Sequence, residues 1–456
     1  MTQLLPRSTP ERQSVPSAAI SRLIGAFDRI EHLHTLTVVR HGHVIAEATW
    51  APYERELPTA MYSVSKSFTS IAVGLAVAEG RLTVDDRVVD LLPGLAPANP
   101  SNHLAALRVR HLLTMTTGHI TEPPLDDGDW ARTALATDLP TAPGTHWMYN
   151  TPATHLLSQI LQTVTGERLL DYLRQRLLDP LGFRDTQWLQ SPTGVDAGGF
   201  GLSIRPEELA AFGQLLLQRG RWQQTQLVPA EWIELATSRQ VANGSGESDW
   251  NQGYGFQFWR CRHGAYRGDG AFGQYAVVIP EFDAVVAITG GLADMQLPLD
   301  AIWDALLPAF DTAEEPADIV VTTPIPALDG ERREGDIAYE YDGPLRAIRL
   351  RDGLLEIDGW ELPCVPGSWS TATFPSDPAA DRFWYGDQVA VSGGWHDTIF
   401  RADLRLLGDA TTFHLELGAS GHLRLTQDVG FDGTDLWEGD PVGQSAVVAH
   451  HIVVSP

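Results

Sequence analysis

The sequence predicts an α+β fold followed by a small all-β domain. Strand-like segments occur near both ends of residues 17–310, with helical segments between them, a layout in which distant parts of a chain complete one sheet. Residues 311–335 are rich in proline and charge and are interpreted as a linker. From residue 336, short strands recur at spacings of about 8–12 residues, which is typical of a barrel or sandwich. We therefore expect domains at 1–310 and 336–456.

Apolar periodicity and strand composition predict the elements of the first domain. In order, they are a helix over 17–30, a hairpin of strands 35–39 and 44–48, a helix over 63–79, helical segments near 105–115, 152–176 and 206–219, strands 274–279 and 284–289, and a helix over 297–310. The segment 63–79 is apolar on nearly every face and stops at Gly80. We therefore expect this helix to be buried.

The second domain is predicted to consist of strands separated by Gly, Asp and Pro. The predicted strands are 337–341, 345–350, 354–357, 388–391, 398–404, 412–417 and 422–426. These strands carry no cluster of candidate catalytic groups, so we expect the domain to serve packing or oligomer formation, for example in a homodimer. Substrate binding and capping of the active site are the alternatives.

Charge and composition exclude several function classes. The chain has 32 basic and 58 acidic residues and a net charge of −26, which disfavours binding to nucleic acid or to an anionic membrane. Its apolar runs are shorter than the roughly 18 residues that a membrane span needs. Residues 1–20 are interrupted by prolines and do not resemble a signal peptide. Because Cys261 and Cys364 also lie far apart, no disulfide framework is expected, and we expect a cytoplasmic location.

The chain contains a single lysine, Lys66, and it forms an S-x-x-K motif with Ser63. Residues i and i+3 share one face of a helix, so the amine can reach the serine hydroxyl. Burial disfavours the charged ammonium and can leave a free amine that acts as a base. The alternative is a lysine that extends to the surface from the first helical turn. The apolar surroundings favour the catalytic interpretation, because an unpaired buried charge is costly.

The sequence does not contain a complete form of two other catalytic patterns. The turn 40–43 places His41 and His43 close together, but further ligands are missing nearby, so no metal site is expected. A G-x-S-x-G elbow is also absent from the sequence, which argues against an α/β-hydrolase. We expect neither a metal nor an organic cofactor.

Around the S-x-x-K motif, the sequence resembles the serine β-lactamase and penicillin-binding-protein superfamily, in particular the class C β-lactamase-like hydrolases and esterases. The resemblance is carried by blocks that follow one another in family order. They are YSVSKSFTSIAVGLAVAEGRLTVDDRVVDLLP, VRHLLTMTTGH, PGTHWMYNTPATHLLSQILQTVTG, GGFGLSIRPEELAAFGQLLLQRG and GDGAFGQYAVVIPEFDAVVAITGG. The resemblance covers roughly residues 15–310. It implies a β-lactamase-like antiparallel sheet flanked by helices, with a helical subdomain.

The family's second motif, Tyr-x-Asn, is matched by Tyr149-Asn150-Thr151. The resemblance implies that Tyr149 works beside Lys66, as a base or as the acid that protonates the leaving group. Such a tyrosine needs a lowered pKa, which a nearby cationic amine can supply. Thr151 stands where the family has asparagine and keeps a hydrogen-bonding group. Read without the family, Tyr149 is interpreted as a packing residue.

The family's third motif is a strand with Lys-Thr-Gly or His-x-Gly, matched here by Gly268-Asp269-Gly270-Ala271. The resemblance implies substrate binding along Asp269 and Gly270, and an oxyanion hole formed by the N–H groups of Ser63 and Ala271. Gly268 stands where the family has a cation. Arg267 could replace that cation, but neighbours on a strand point to opposite faces. The missing cation argues against an anionic β-lactam as substrate.

Two further sets of residues are candidates for the substrate pocket. An acidic loop precedes Trp130 and is interpreted as solvated, or alternatively as a part of the pocket; its members are Glu122, Asp126, Asp127 and Asp129. An aromatic set could line an acyl pocket, although core packing is expected for most of it; its members are Trp147, Tyr254, Phe256, Phe258 and Trp259.

Together these features predict a serine hydrolase that cleaves an ester or amide bond of a small molecule through an acyl-enzyme on Ser63. Lys66 accepts the serine proton, directly or through Tyr149. One alternative is a β-lactamase or D-amino-acid peptidase, against which the missing export signal and the missing cation count. The other is a non-catalytic binding protein on the same scaffold, against which the intact Ser63, Lys66 and Tyr149 count.

Overall fold

A seven-stranded sheet forms the centre of the first domain. The computed structural model describes residues 3–125, 128–373, 387–431 and 433–444. In spatial order, the strands of this sheet are Thr322–Pro324, His43–Ala51, Leu33–Arg40, Ala284–Gly290, Gln274–Ile279, Tyr266–Gly270 and Trp259–Arg260. Distant parts of the chain therefore complete one sheet, as the sequence predicts.

The expectation of an antiparallel sheet needs one correction at its edge. Every neighbouring pair is antiparallel except the outermost, in which Thr322–Pro324 runs parallel to His43–Ala51. This edge strand comes from the segment 311–335, which the sequence indicates as a linker. Part of that segment thus extends along the first domain.

Helices cover both faces of the sheet because the side chains of its strands alternate between two cores. One face packs on helices Val64–Ala78, Thr151–Thr165 and Pro206–Leu217, and the other on Ser17–Phe27 and the helical run that starts at Leu297–Ala301. The other α-helices are Val88–Leu91, Asn102–Ala106, Val109–Leu113, Trp130–Ala136, Leu169–Leu173, Asp179–Leu181 and Ala230–Thr237. The π segments are Arg174–Leu178 and Ile302–Leu306, and the 3-10 turns are Glu11–Gln13, Arg262–Gly264, Pro280–Phe282 and Leu307–Ala309.

Helical runs that look continuous in the sequence are interrupted in the structure. Gly166 ends Thr151–Thr165 with a φ of +76°, a conformation that glycine adopts without strain. The chain then resumes as Leu169–Leu173. The predicted helix 152–176 is therefore two helices.

Two sheets make up the C-terminal all-β domain, as the sequence predicts. The five-stranded sheet has the order Trp360–Pro363, Leu354–Ile357, Ala347–Arg351, Asp336–Glu340 and Gly443–Gln444, and the six-stranded sheet has the order Ser370–Thr373, Gln388–His396, Ile399–Leu406, Thr412–Gly418, Leu423–Gln427 and Asp435–Gly439. Side chains from both sheets share one apolar core, which includes Ile348, Leu355, Val391 and Leu415. The C-terminal domain therefore has an apolar core of its own.

Two short sheets complete the described strands. The first consists of Thr59–Ala60, Leu202–Ile204 and Gln187–Trp188, and the second of Arg221–Trp222 and Thr225–Gln226. In the first sheet, strand Thr59–Ala60 lies shortly before Ser63 in the chain. Its pairing with Leu202–Ile204 therefore anchors the start of helix Val64–Ala78. Among the described residues, none of the helices is both long and apolar enough to cross a membrane.

Candidate active site

Ser63 and Lys66 meet at the start of the buried helix. Ser63 occupies the N-cap position of Val64–Ala78, and its side chain makes no capping hydrogen bond. The Lys66 amine lies 3.0 Å from the Ser63 hydroxyl oxygen and 2.7 Å from the carbonyl oxygen of Gly199. Because the helix places residues i and i+3 on one face, the expected contact between the two motif residues is present.

Burial makes the Lys66 amine a weaker base than an ordinary lysine. Its side chain is 1% exposed, and this desolvation lowers the pKa of Lys66 to about 7, although the carboxylates of Glu122 and Asp269 act in the opposite direction. Near neutral pH a large fraction of the amine is therefore uncharged. The alternative of a lysine that extends to the surface is incompatible with this position.

Tyr149 lies against the Lys66 amine, but its pKa is not lowered as expected. The amine is 4.8 Å from the centre of the Tyr149 ring. Desolvation raises the pKa of Tyr149 strongly, while a hydrogen-bonding interaction with Ser63 lowers it less. The expectation failed because it weighed only the neighbouring amine, whereas burial of the phenol is the largest influence on its pKa. Tyr149 is therefore a neutral phenol that can donate a proton.

The segment that follows Tyr149 is fixed by helix capping. Asn150 is buried, and its side-chain oxygen accepts a hydrogen bond from the N–H of Ala153 at 3.0 Å, which caps helix Thr151–Thr165. The Thr151 hydroxyl lies 3.3 Å from the Lys66 amine. The N–H of Thr151 donates to the carboxylate of Glu122. Thr151 thus contacts the lysine as its place in the motif implies.

The strand Tyr266–Gly270 presents two different faces. A Cβ atom on Gly268 would lie 3.3 Å from the Ser67 hydroxyl oxygen and 3.4 Å from Cγ1 of Val64, so this position packs on the nucleophile-bearing helix. A Cβ atom on Gly270 would lie only 2.4 Å from the carbonyl oxygen of Met61. Glycine at these positions lets the strand approach the helix closely.

The opposite face of that strand carries a buried ion pair. The Arg267 guanidinium donates to the Asp269 carboxylate at 2.7 Å, and both side chains are buried. As strand alternation predicts, Arg267 faces away from Gly268 and does not replace the missing cation. Arg267 bonds one oxygen of the Asp269 carboxylate, and the substrate-binding role of Asp269 stays a prediction. The carboxylate also acts electrostatically, since it raises the pKa of Lys66.

The backbone N–H groups of Ser63 and Ala271, the predicted oxyanion donors, make no hydrogen bond within the described residues. Ser63 lies at the start of its helix, and Ala271 lies in the turn between two strands. A backbone N–H without a partner in the protein is one requirement for a donor of an oxyanion hole.

Sequence reasoning did not assign a role to Gly199, although the residue completes the surroundings of Lys66. Its carbonyl oxygen accepts from the amine. A Cβ atom at this position would lie 2.7 Å from Cγ2 of Thr151 and 3.5 Å from the Lys66 amine. The signal in the sequence that could have indicated Gly199 is the Gly198-Gly199 pair, which opens one of the blocks that resemble the family.

The aromatic candidates divide into two groups. Phe256 and Phe258 belong to the main apolar core. The other three, Trp147, Tyr254 and Trp259, form a cluster with Tyr149. The ring of Trp259 stacks on that of Tyr149 with centroids 5.6 Å apart. These rings support the tyrosine, and their role as an acyl pocket stays a prediction.

The acidic loop has separate functions for its members. Asp129 caps helix Trp130–Ala136 by accepting a hydrogen bond from the N–H of Arg132 at 3.1 Å. Glu122 approaches the site through Thr151, as described above. Asp126 and Asp127 lie outside the described residues.

Comparison with known proteins identifies the family. The family model described as Beta-lactamase matches residues 10–296. The chain belongs to the β-lactamase family. Members of this superfamily are serine hydrolases, which is the class that the sequence predicts.

Two curated proteins and one solved structure are among those similar to this chain. The chain is 26% identical over 328 residues to 6-aminohexanoate-dimer hydrolase of Paenarthrobacter ureafaciens, covering 62% of this chain and 82% of that protein. It is 26% identical over 212 residues to esterase EstB of Burkholderia gladioli, covering 39% of this chain and 53% of that protein. The octameric penicillin-binding protein homologue of Pyrococcus abyssi has the same fold, with a TM-score of 0.52 and 17% identity, covering 90% of this chain and 96% of that one. This last likeness extends beyond the family match at residue 296.

Proposed function

We propose that the protein cleaves an ester or amide bond of a small molecule through an acyl-enzyme on Ser63. The proposal depends on one observation, namely a buried amine with a pKa of about 7 that lies 3.0 Å from the Ser63 hydroxyl oxygen. A serine hydroxyl becomes a strong nucleophile only when a base removes its proton. Lys66 is the group within reach that can do so.

Acylation then proceeds with each group in one role. The Ser63 oxygen attacks the substrate carbonyl while Lys66 accepts the hydroxyl proton. The N–H groups of Ser63 and Ala271 donate to the developing oxyanion. Tyr149 protonates the leaving alcohol or amine and regains a proton from Lys66, which restores the free amine. Water, activated by the same two side chains, then releases the acid.

The charge around the site favours a neutral or cationic substrate. The carboxylates of Glu122 and Asp269 both act on Lys66. The position that carries a cation in lactam-processing members is Gly268, and it packs closely on Ser67 and Val64. Asp269 is paired with Arg267, so the Glu122 carboxylate is the group that would repel an anionic substrate, and no cation stands at position 268 to offset it.

The names of relatives fit both bond types. One similar protein is named for hydrolysis of an amide dimer and another is named an esterase. We therefore keep ester and amide as the two bond types to be tested. The natural substrate is to be sought among uncharged or amine-bearing compounds.

Ser63→Ala tests the assignment directly. We expect the wild-type protein to hydrolyse short p-nitrophenyl esters or anilides, and to gain the mass of one fluorophosphonate adduct. Ser63→Ala should lose both properties, whereas Ser420→Ala, at an exposed serine of the C-terminal domain, should keep them. Hydrolysis that survives Ser63→Ala would overturn the assignment. Nitrocefin turnover as fast as ester turnover would instead favour a β-lactamase.

A further inference from the structure

The C-terminal domain contacts the first domain directly beside Ser63. Its contacting loop joins strands Ile399–Leu406 and Thr412–Gly418. The carbonyl oxygen of Gly408 accepts a hydrogen bond from the N–H of Ala60 at 2.9 Å. The Asp409 carboxylate accepts one from the hydroxyl of Tyr62 at 2.6 Å. Two residues of the segment that leads into Ser63 are therefore held by the other domain.

Tyr62 needs such support because its backbone is strained. Its φ is +44°, in the left-handed region that large side chains rarely adopt. Its carbonyl oxygen accepts from both the N–H and the hydroxyl of Ser65, at 3.1 and 2.6 Å. The phenol is thus anchored at one end by Asp409, and the backbone at the other end by the helix that carries the nucleophile.

Asp409 is built into the interface as a fixed acceptor. It is 4% exposed. The oxygen that accepts from Tyr62 also accepts from the N–H and hydroxyl of Thr411, at 3.1 and 3.0 Å. Burial is the largest influence on the pKa of Asp409 and raises it, while the hydrogen bonds from Tyr62 and Thr411 lower it. A buried acceptor with several donors defines the position of the tyrosine ring.

An aromatic group from the C-terminal domain lies at the same place. The Tyr62 and Phe272 rings meet edge to face with centroids 5.2 Å apart. The Phe431 ring, from the C-terminal domain, lies 5.1 Å from that of Phe272 and 6.3 Å from that of Tyr62. Phe272 directly follows Ala271, and Tyr62 directly precedes Ser63. Two of the three rings therefore belong to the chain neighbours of the proposed oxyanion donors, and Phe431 packs on both of them.

Phe431 is unusual in this cluster because most of its ring faces solvent. It is 80% exposed, whereas Tyr62 is buried and Phe272 is partly buried. An exposed aromatic ring gains free energy when an apolar group covers it. Because it packs on the residue that precedes Ser63 and on the residue that follows Ala271, we infer that a hydrophobic part of the substrate covers it.

We propose that the C-terminal domain forms one wall of the active site, in which Asp409 positions Tyr62 beside the nucleophile and Phe431 binds a hydrophobic group of the substrate. This proposal rests on the serine hydrolase function proposed above. It favours substrate binding, one of the alternatives that the sequence leaves open for this domain, over packing or oligomer formation. It also identifies the substrate class as esters or amides with an alkyl or aryl substituent near the carbonyl.

The binding role of Phe431 is tested with substrates of graded size. For wild type, kcat/KM is measured on p-nitrophenyl acetate, butyrate and hexanoate. In Phe431→Ala the ratio of hexanoate to acetate should fall roughly fivefold, as expected when a hydrophobic contact is lost. Val442→Ala is the matched control, because Val442 is also an exposed apolar residue of the C-terminal domain, 68% accessible. Its N–H donates to the carbonyl oxygen of Glu340, on the other sheet of that domain. Its ratio should equal that of wild type.

A parallel measurement separates this proposal from the assignment of Ser63. The rate of adduct formation is compared for an ethyl and a long-chain alkyl fluorophosphonate. If wild type forms the adduct and Phe431→Ala leaves the ratio of the two rates unchanged, the role of the C-terminal domain in substrate binding is refuted. The proposed serine hydrolase function is then unaffected. If wild type forms no adduct and hydrolyses no ester or amide, the hydrolase itself fails, and the wall fails with it.

The positioning role of Asp409 is tested by removing and then restoring the acceptor. Asp409→Ala should lower kcat by about tenfold or more, with a small change in KM, because Ser63 loses its alignment. Asp409→Asn keeps a carbonyl oxygen and should restore most of kcat. Trp369→Phe is the control, because it removes the hydrogen bond from Trp369 to the carbonyl of Ile325, 2.9 Å long, elsewhere at the domain contact. Equal losses of kcat in Asp409→Ala and Trp369→Phe, at equal melting temperatures, would overturn the positioning role.

Discussion

The Lys66 amine lies 3.0 Å from the Ser63 hydroxyl oxygen and has lost nearly all contact with solvent. Arginine supplies every other basic side chain of this protein. A guanidinium serves wherever a positive charge only pairs or solvates, but it does not deprotonate in proteins. The position of the single lysine therefore coincides with the one place where the proposed chemistry needs a neutral amine.

Lys66→Arg should abolish acylation while the fold persists. The substitution keeps a long basic side chain, but a guanidinium cannot accept the serine proton, so kcat/KM should fall by at least about 10³-fold. Initial rates on esters and intact mass after fluorophosphonate treatment measure the loss, and thermal melting reports on the fold. Arg132→Lys, a swap of the same two residue types at an exposed helix position, should leave activity unchanged. An active Lys66→Arg protein would show that the amine is not the base.

The activity should rise with pH through neutrality. The active form of Lys66 is the free amine and its pKa is about 7, so kcat/KM should increase from pH 6 to pH 8 with a midpoint near 7. Glu122→Gln removes a carboxylate that raises the pKa of Lys66 but keeps an oxygen for the N–H of Thr151. The midpoint should therefore move to lower pH.

Glu281→Gln is the control for this pH profile, because Glu281 is an exposed acid in a turn of the first domain. Its midpoint should stay where it is in wild type. A profile that is flat between pH 6 and pH 8 for wild type would contradict a role for Lys66 as the titrating base.

Tyr149→Phe should affect substrates according to their leaving groups. A neutral phenol donates a proton, and a poor leaving group such as an alkoxide or amine depends on it, whereas p-nitrophenolate leaves readily without protonation. We expect kcat to fall by about 10²-fold or more on alkyl esters and amides, and by much less on p-nitrophenyl esters. Equal losses on both classes, measured under the same conditions, would point to a structural role for the ring.

The local chemistry of the site could be predicted from the sequence because its spacing is short. Ser63 and Lys66 are three residues apart on one helix, and helix geometry alone brings them together. The sheet was also predictable, since its hairpins are formed by strands with clear apolar patterns. What escaped prediction depends on contacts between distant segments, such as the carbonyl of Gly199 on Lys66 and the carboxylate of Asp409 on Tyr62.

The protonation of Tyr149 escaped for a different physical reason. A motif indicates which groups are neighbours, but a pKa depends on the balance between burial and charge. Here burial raises the pKa of Tyr149 and lowers that of Lys66. Both effects follow from the tertiary packing of the two side chains, which no local pattern specifies.

Gly199→Ala should disable the site although it changes no functional side chain. The added Cβ would lie 2.7 Å from Cγ2 of Thr151 and 3.5 Å from the Lys66 amine, so either the loop or the lysine must move. Such displacement of a catalytic group costs about 10²-fold in kcat. Gly25→Ala is the matched control, because a Cβ there meets no atom within 4 Å in a helix interior, and the protein should keep its activity. Full activity in Gly199→Ala would show that this loop tolerates displacement.

Stability should decline at high pH because of a histidine of the C-terminal domain that shares a carboxylate with the first domain. His414 contacts the carboxylates of Asp403 and Asp428, and Asp428 also lies 3.0 Å from Nδ1 of His32 in the first domain. The hydrogen bonds that the imidazole donates to these carboxylates raise the pKa of His414 to about 10. A raised pKa means that the folded state holds the proton more tightly than the unfolded one. The stabilisation is therefore complete below about pH 6.5, the ordinary histidine value, and is lost as the pH rises through 10.

Melting temperatures between pH 6 and pH 10.5 measure this loss. We expect the free energy of unfolding to fall by about 1–2 kcal/mol over the range, a figure reduced for partial solvent screening. His414→Asn should flatten the dependence. His422→Asn is the matched control, because His422 also contacts two acidic side chains but is more exposed, and it should change the slope much less. If both variants flatten the curve equally, the loss comes from surface charge and not from the contact between the domains.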